Sequence, residues 1–130
     1  MASPKIPKME GFVAQCLTLI SVENETEQDM ELFELRIVVD RIEGRSVCGL
    51  KVGDYFEVTE SSQLRIPAGK HFCMYAIAAA LPLLPAKQRQ MPAQDWLETD
   101  SFVACPDPDE RLIMRIERTA KVKLRSGDLT

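Results

Sequence analysis

"LFELRIVVDRI", residues 32 to 42, alternates apolar and polar side chains along most of its length. Phe33, Leu35, Ile37 and Val39 share one face, and Glu34, Arg36 and Asp40 share the other. Period-two alternation marks a half-buried strand. Upstream, "FVAQCLTLISV", residues 12 to 22, mixes β-branched and apolar residues and reads as another strand. The acidic stretch between them, residues 23 to 31, reads as an exposed loop, so the two strands suit a hairpin. Downstream, "EGRSVCGLKVGD", residues 43 to 54, carries three glycines and reads as a loop ending in a turn. "YFEVTE", residues 55 to 60, alternates again, with Phe56 and Val58 on one side; Pro67 ends any strand in the "LRIPAGK" that follows.

The helix lies in "HFCMYAIAAALPLLP", residues 71 to 85. Ala76, Ala78, Ala79 and Ala80 favour helix strongly, and Pro82 and Pro85 stop or kink it, which places it at about 71–81. It is apolar almost all round, so cover on more than one side is expected. A polar stretch, residues 86 to 100, suits a short helical turn near 93–98 around Trp96. "SFVAC" reads as a short strand, "PDPDE" as a turn, and "RLIMRIERTAKVKL" as a long last strand with Leu112, Met114 and Ile116 on one face until Arg118 breaks the register. Hairpin-like connections favour an antiparallel sheet. The expected fold is α+β: one domain over residues 11–125, a mostly antiparallel sheet of about five strands on one central helix. Residues 1–10 and 126–130 read as loose tails.

The length of 130 residues suits one domain that buries a sufficient core without a disulfide or a metal. A net charge of -4 argues against nucleic acid, whose binders usually carry a basic face, while leaving room for a local patch such as the short basic "KVKLR", residues 121 to 125. There is no apolar run long enough for a membrane span and no signal-like N-terminus, which predicts a cytoplasmic protein with its four cysteines free. No phosphate-binding glycine loop, H-E-x-x-H or G-x-S-x-G motif is present.

From about Arg36 to Arg118 the order of motifs is more telling than any one of them. "GLKVGDYFEV" at 49–58, the cysteine in "FCMYAIAAALP" at 72–82, Trp96 and "ACPDP" at 104–108 follow one another into a final strand. In this the chain resembles a family of small uncharacterised microbial proteins of roughly a hundred residues, the size of one ordinary domain. The resemblance implies a shared fold and little about activity. Aligned on "KVGD", the family's first cysteine falls on Ser46 and its histidine on Leu50, with Cys48 standing nearby. Residues 11–34 are extra to the pattern.

Several residues carry candidate chemistry. A cysteine in the first turn of a helix sees unpaired N–H groups, which favours a thiolate nucleophile. Cys73 is such a residue, with His71, the one histidine, as a base if it lies outside the helix. The plain alternative for Cys73 is a small buried hydrophobe, and Cys16 reads that way in its apolar strand. Asp107, between two prolines, is either a turn residue or a polar group presented with Cys105 to a pocket. Trp96, Tyr75 and Asp54 complete the candidate ligand-binding set. Cys48, Cys73, Cys105 and His71 make an acceptable tetrahedral set for zinc or iron, but the close cysteine pairs of structural zinc sites are missing, so no cofactor is favoured.

The first expectation is a small-molecule-binding domain, extending to a cofactor-independent enzyme. Its pocket lies between the N-terminus of the Cys73 helix, the "CPDP" loop and Trp96, with Cys73, His71 and Asp107 as the reactive polar groups and a small organic molecule as partner. The alternatives are an accessory subunit or interaction module, as a homo-oligomer or with a protein partner, and a cysteine-ligated metal protein.

Overall fold

The structure is a computed structural model, and it describes residues 29–129. The expected strand at 12–22, the tail at 1–10 and most of the acidic stretch lie outside them. The chain divides into two compact units, of which Glu31–Val122 is the larger. The other includes the described residues 29–30 and 123–129, where Lys123 pairs with Asp29 at 3.6 Å and Ser126–Asp128 forms a short 3₁₀ turn.

The fold is α+β. The strands are β1 (Asp29–Ile42), β2 (Tyr55–Thr59), β3 (Gln63–Arg65), β4 (Phe102–Ala104) and β5 (Leu112–Arg125). They form one antiparallel sheet in the order β3-β2-β1-β5-β4. Leu35 faces Val58 and Ile37 faces Phe56 across β1 and β2, so the alternation in the sequence becomes one continuous apolar surface. Residues 29–31 belong to β1, where a loop was expected. The fifth described strand is β3, seated before Pro67.

Leu35, Ile37, Val39, Phe56, Val58, Leu112, Met114 and Ile116 form the sheet side of the core. The opposite face is mostly polar, with Val38 buried between the charged side chains of Arg36 and Asp40 in the strand. Arg36 pairs with Glu57 at 3.2 Å and covers the Tyr55 ring, and Arg115 pairs with Asp40 at 3.0 Å. One face dry and one wet is the usual state of an antiparallel sheet.

The helical segment differs from expectation at both ends. Helix α1 is Met74–Ala80, with Cys73 as an extended N-cap residue. It starts late because two side chains before it are committed elsewhere. Phe72 enters the core edge-on to Phe56, with ring centroids 4.8 Å apart, and the His71 Nε2 meets the Cys48 carbonyl at 2.8 Å. Beyond α1 the prolines redirect the chain without ending its helicity. Each occupies the first turn of a new short segment, the 3₁₀ turn Leu81–Leu83 and α2 (Leu84–Lys87), where its missing N–H costs nothing. Nor is α1 covered all round. Ala76 and Ala80 are buried, while Met74 and Tyr75 are 71% and 65% exposed. Small side chains at i and i+4 bring the helix close to the sheet, and one buried face is enough. The expected turn near Trp96 is α3 (Trp96–Thr99), capped by the Asp95 carboxyl on the Leu97 N–H at 2.9 Å.

Candidate functional site

Three segments far apart in sequence meet at the start of α1. The first is the loop after β1. Its residues Glu43, Gly44 and Arg45 donate in turn to the carbonyls of Arg111, Glu110 and Asp109 at 2.9–3.2 Å. Gly44 permits this close approach, since a Cβ there would stand 1.9 Å from the Asp109 carbonyl oxygen. The second segment is the extended stretch through Cys73. The third is the "CPDPDE" turn, residues 105–110, built by Asp107. Its Oδ1 accepts from the N–H groups of Asp109 and Glu110, and its carbonyl accepts from the Arg111 N–H. Cys105 is fixed by its N–H on the Leu112 carbonyl at 2.9 Å, so its side chain turns inward.

Between these segments is a cavity of about 620 Å³ lined by Val47, Cys48, Cys73, Met74, Tyr75, Cys105, Pro106, Asp107 and Glu110. Three thiols thus open on one space. Cys105 is buried, and Cys48 and Cys73 are half-buried. The unforeseen member is Glu110, which is 1% exposed. Its Oε2 accepts from the Val47 N–H at 2.8 Å, the Cys48 N–H at 3.3 Å and the Cys48 thiol at 3.3 Å. A buried carboxyl needs such donors to offset lost hydration. They come from the loop more than sixty residues earlier, so nothing beside Glu110 in the sequence signals its burial.

This setting acts on the thiols. Burial, reinforced by the hydrogen bond to Glu110, pushes the Cys48 thiol up to about 12, and the neighbouring Cys73 adds to the rise. Burial likewise raises Cys105, while the Asp107 N–H opposes it. Both thiols therefore hold their protons in the neutral range.

The remaining candidates fall elsewhere. His71 is exposed and lines a second cleft of about 240 Å³ with Asp54, Gly53, Tyr55, Pro67 and Lys70. Its Nε2 donates to the Cys48 carbonyl, so that nitrogen is not available as a base for Cys73. Asp54 closes the "KVGD" turn, accepting from the Lys51 N–H at 2.9 Å, with Gly53 at φ +95°. Trp96 is 60% exposed and is not among the residues lining the cavity. Ser46, where the resemblance expects a cysteine, donates to the Leu50 carbonyl at 2.7 Å, and Leu50 is buried in the core. Among the described residues no group of three or more His, Cys, Asp and Glu is arranged to hold a metal ion, and none of their helices is long and apolar enough to cross a membrane. Comparison of the chain with protein-family models, curated proteins and solved structures finds no match.

Proposed function

We propose that the protein is a small-molecule-binding domain whose site is the thiol-lined cavity between the start of α1 and the "CPDP" turn. The observation that carries this reading is the convergence there of three separate segments on one cavity of ligand size. Val47, Met74, Tyr75 and Pro106 give it apolar walls, while the thiols, Asp107 and Glu110 supply polar groups. Such a lining suits a compact, largely apolar organic molecule, bound without a cofactor. The test uses anilinonaphthalene sulfonate as a fluorescent apolar probe. Val47→Trp places an indole in the mouth of the cavity, since Val47 is 51% exposed. Probe affinity is expected to fall at least tenfold, with an unchanged far-UV spectrum; a tenfold loss is about 1.4 kcal/mol. Equal probe binding by wild type, Val47→Trp and Cys73→Ala would remove the reading.

A second reading, an interaction module, is favoured by the outer side of α1 and its extension. Met74, Tyr75 and Leu81 are all exposed there, and contiguous apolar surface marks contact sites. Light scattering decides it. A mass that rises with concentration and falls back in Tyr75→Glu supports it, and a strict monomer at high concentration removes it.

A further inference from the structure

The cavity holds a pair of thiols with a proton acceptor beside one of them. The segments that carry Cys48 and Cys73 are joined by a side chain. The His71 ring donates to the Cys48 carbonyl at 2.8 Å, which ties the loop after β1 to the stretch that leads into Cys73. Gly49 lies against the same ring, and a Cβ there would stand 3.6 Å from it. Cys73 is a neighbour of Cys48 in the lining of the same cavity, near enough for each thiol to influence the other. Both are half-buried and line the cavity, whereas Cys105 is 5% exposed. The Glu110 Oε2, 3.3 Å from the Cys48 sulfur, is fixed by the Val47 N–H at 2.8 Å.

We propose that this pair exchanges with small, uncharged organic disulfides seated in the cavity, reducing them and closing as a Cys48–Cys73 disulfide. The proposal rests on the ligand-binding reading of the same cavity and names its substrate class. In the first step the Cys73 sulfur attacks one sulfur of the organic disulfide. A mixed disulfide forms, and the first organic thiol leaves with the Cys73 proton. In the second step Cys48 passes its proton to Glu110, and its sulfur attacks the Cys73 sulfur. The bond from Cys73 to the organic group breaks, and the second organic thiolate leaves and takes up that proton. Two electrons pass from the protein dithiol to the organic disulfide, which becomes two thiols. Attack by a thiolate on a disulfide sulfur through a mixed disulfide is the general route of exchange. Glu110 serves the step that Cys48 cannot make while protonated.

The test mixes the reduced full-length protein with dithiodipyridine, an uncharged aromatic disulfide, and follows thiopyridone release by absorbance. Peptide mass mapping identifies the product. The expected product is a Cys48–Cys73 cross-link. In Cys48→Ser the organic group should stay on Cys73, and in Glu110→Gln the mixed disulfide should persist, with closure slowed about a hundredfold, the lower end for a lost proton acceptor. Reaction without a cross-link, or a cross-link from Cys73 to Cys105, overturns the proposal. Mapping on wild type alone decides this should a variant fail to fold. Probe binding lost in Val47→Trp without a cross-link in wild type leaves a ligand site without exchange chemistry; loss of both results removes both readings.

Discussion

At the scale of single residues, two positions explain why the site exists. Gly44 lets two loops approach to hydrogen-bond distance, and a methyl group there would meet backbone atoms of Asp109 and Glu110 rather than a movable side chain. Gly44→Ala is therefore expected to destabilise the protein by about 3 kcal/mol, the upper end for overpacking, measured by urea unfolding. Cys48 is the second position. Its pKa rises from 9.0 to about 12 in the folded chain, so folding holds a proton that the unfolded chain releases. The stability linked to it is present below pH 9 and lost as pH rises through that interval. Cys48→Ala should flatten this part of the stability–pH curve relative to wild type. Equal alkaline slopes in the two proteins would show that the thiol is not held as described. "CPDP" and the cysteine before α1 were visible as candidates in the sequence. Glu110 was not, because a carboxyl before a strand looks like any turn residue until its donors arrive from a distant loop.

At the scale of elements, the alternation in β1, β2 and β5 was legible, because one face of the sheet is dry and the other wet. The helix was legible only in outline. Its alanines predict helix, yet its start is set by His71 and Phe72, whose partners Cys48 and Phe56 lie on other elements. Arg118, which interrupts the apolar face of β5, has a similar explanation. Its guanidinium donates to both Glu98 oxygens at 2.6 and 2.8 Å and to the carbonyls of Lys87 and Arg89, joining β5 to α2 and α3. The Arg118 guanidinium and the Met91 N–H hold Glu98 down at about 2, from 4.5. A depressed carboxyl contributes stability above its unfolded pKa and loses it as pH falls toward the folded value. Glu98→Gln should thus be less stable than wild type at neutral pH, with the two converging between about pH 4.5 and pH 2. Thermal unfolding across that range checks it, and parallel curves would contradict it.

At the scale of the whole molecule, the helical segments are joined to the sheet by a few buried polar groups as well as by the core. Gln88, 2% exposed, donates through its side chain to the carbonyls of Phe33 and Glu60, while its own carbonyl accepts from the Phe33 N–H at 2.7 Å. Gln88→Leu keeps the volume and strands two acceptors, an expected loss of about 2 kcal/mol by denaturant unfolding. An unchanged midpoint would mean that water replaces the amide. The sequence by itself determined the α+β class, the strands that build the core and the two motifs that border the cavity. Those follow from periodicity and from local conformational preference, which a chain carries wherever it is. Only the tertiary structure decided that Cys48, Cys73 and Cys105 share a cavity, that Glu110 is buried beside Cys48, and that His71, Asp54 and Trp96 lie apart from it. Each of these depends on backbone hydrogen bonds and close approach between segments distant in the chain, and no local pattern records them.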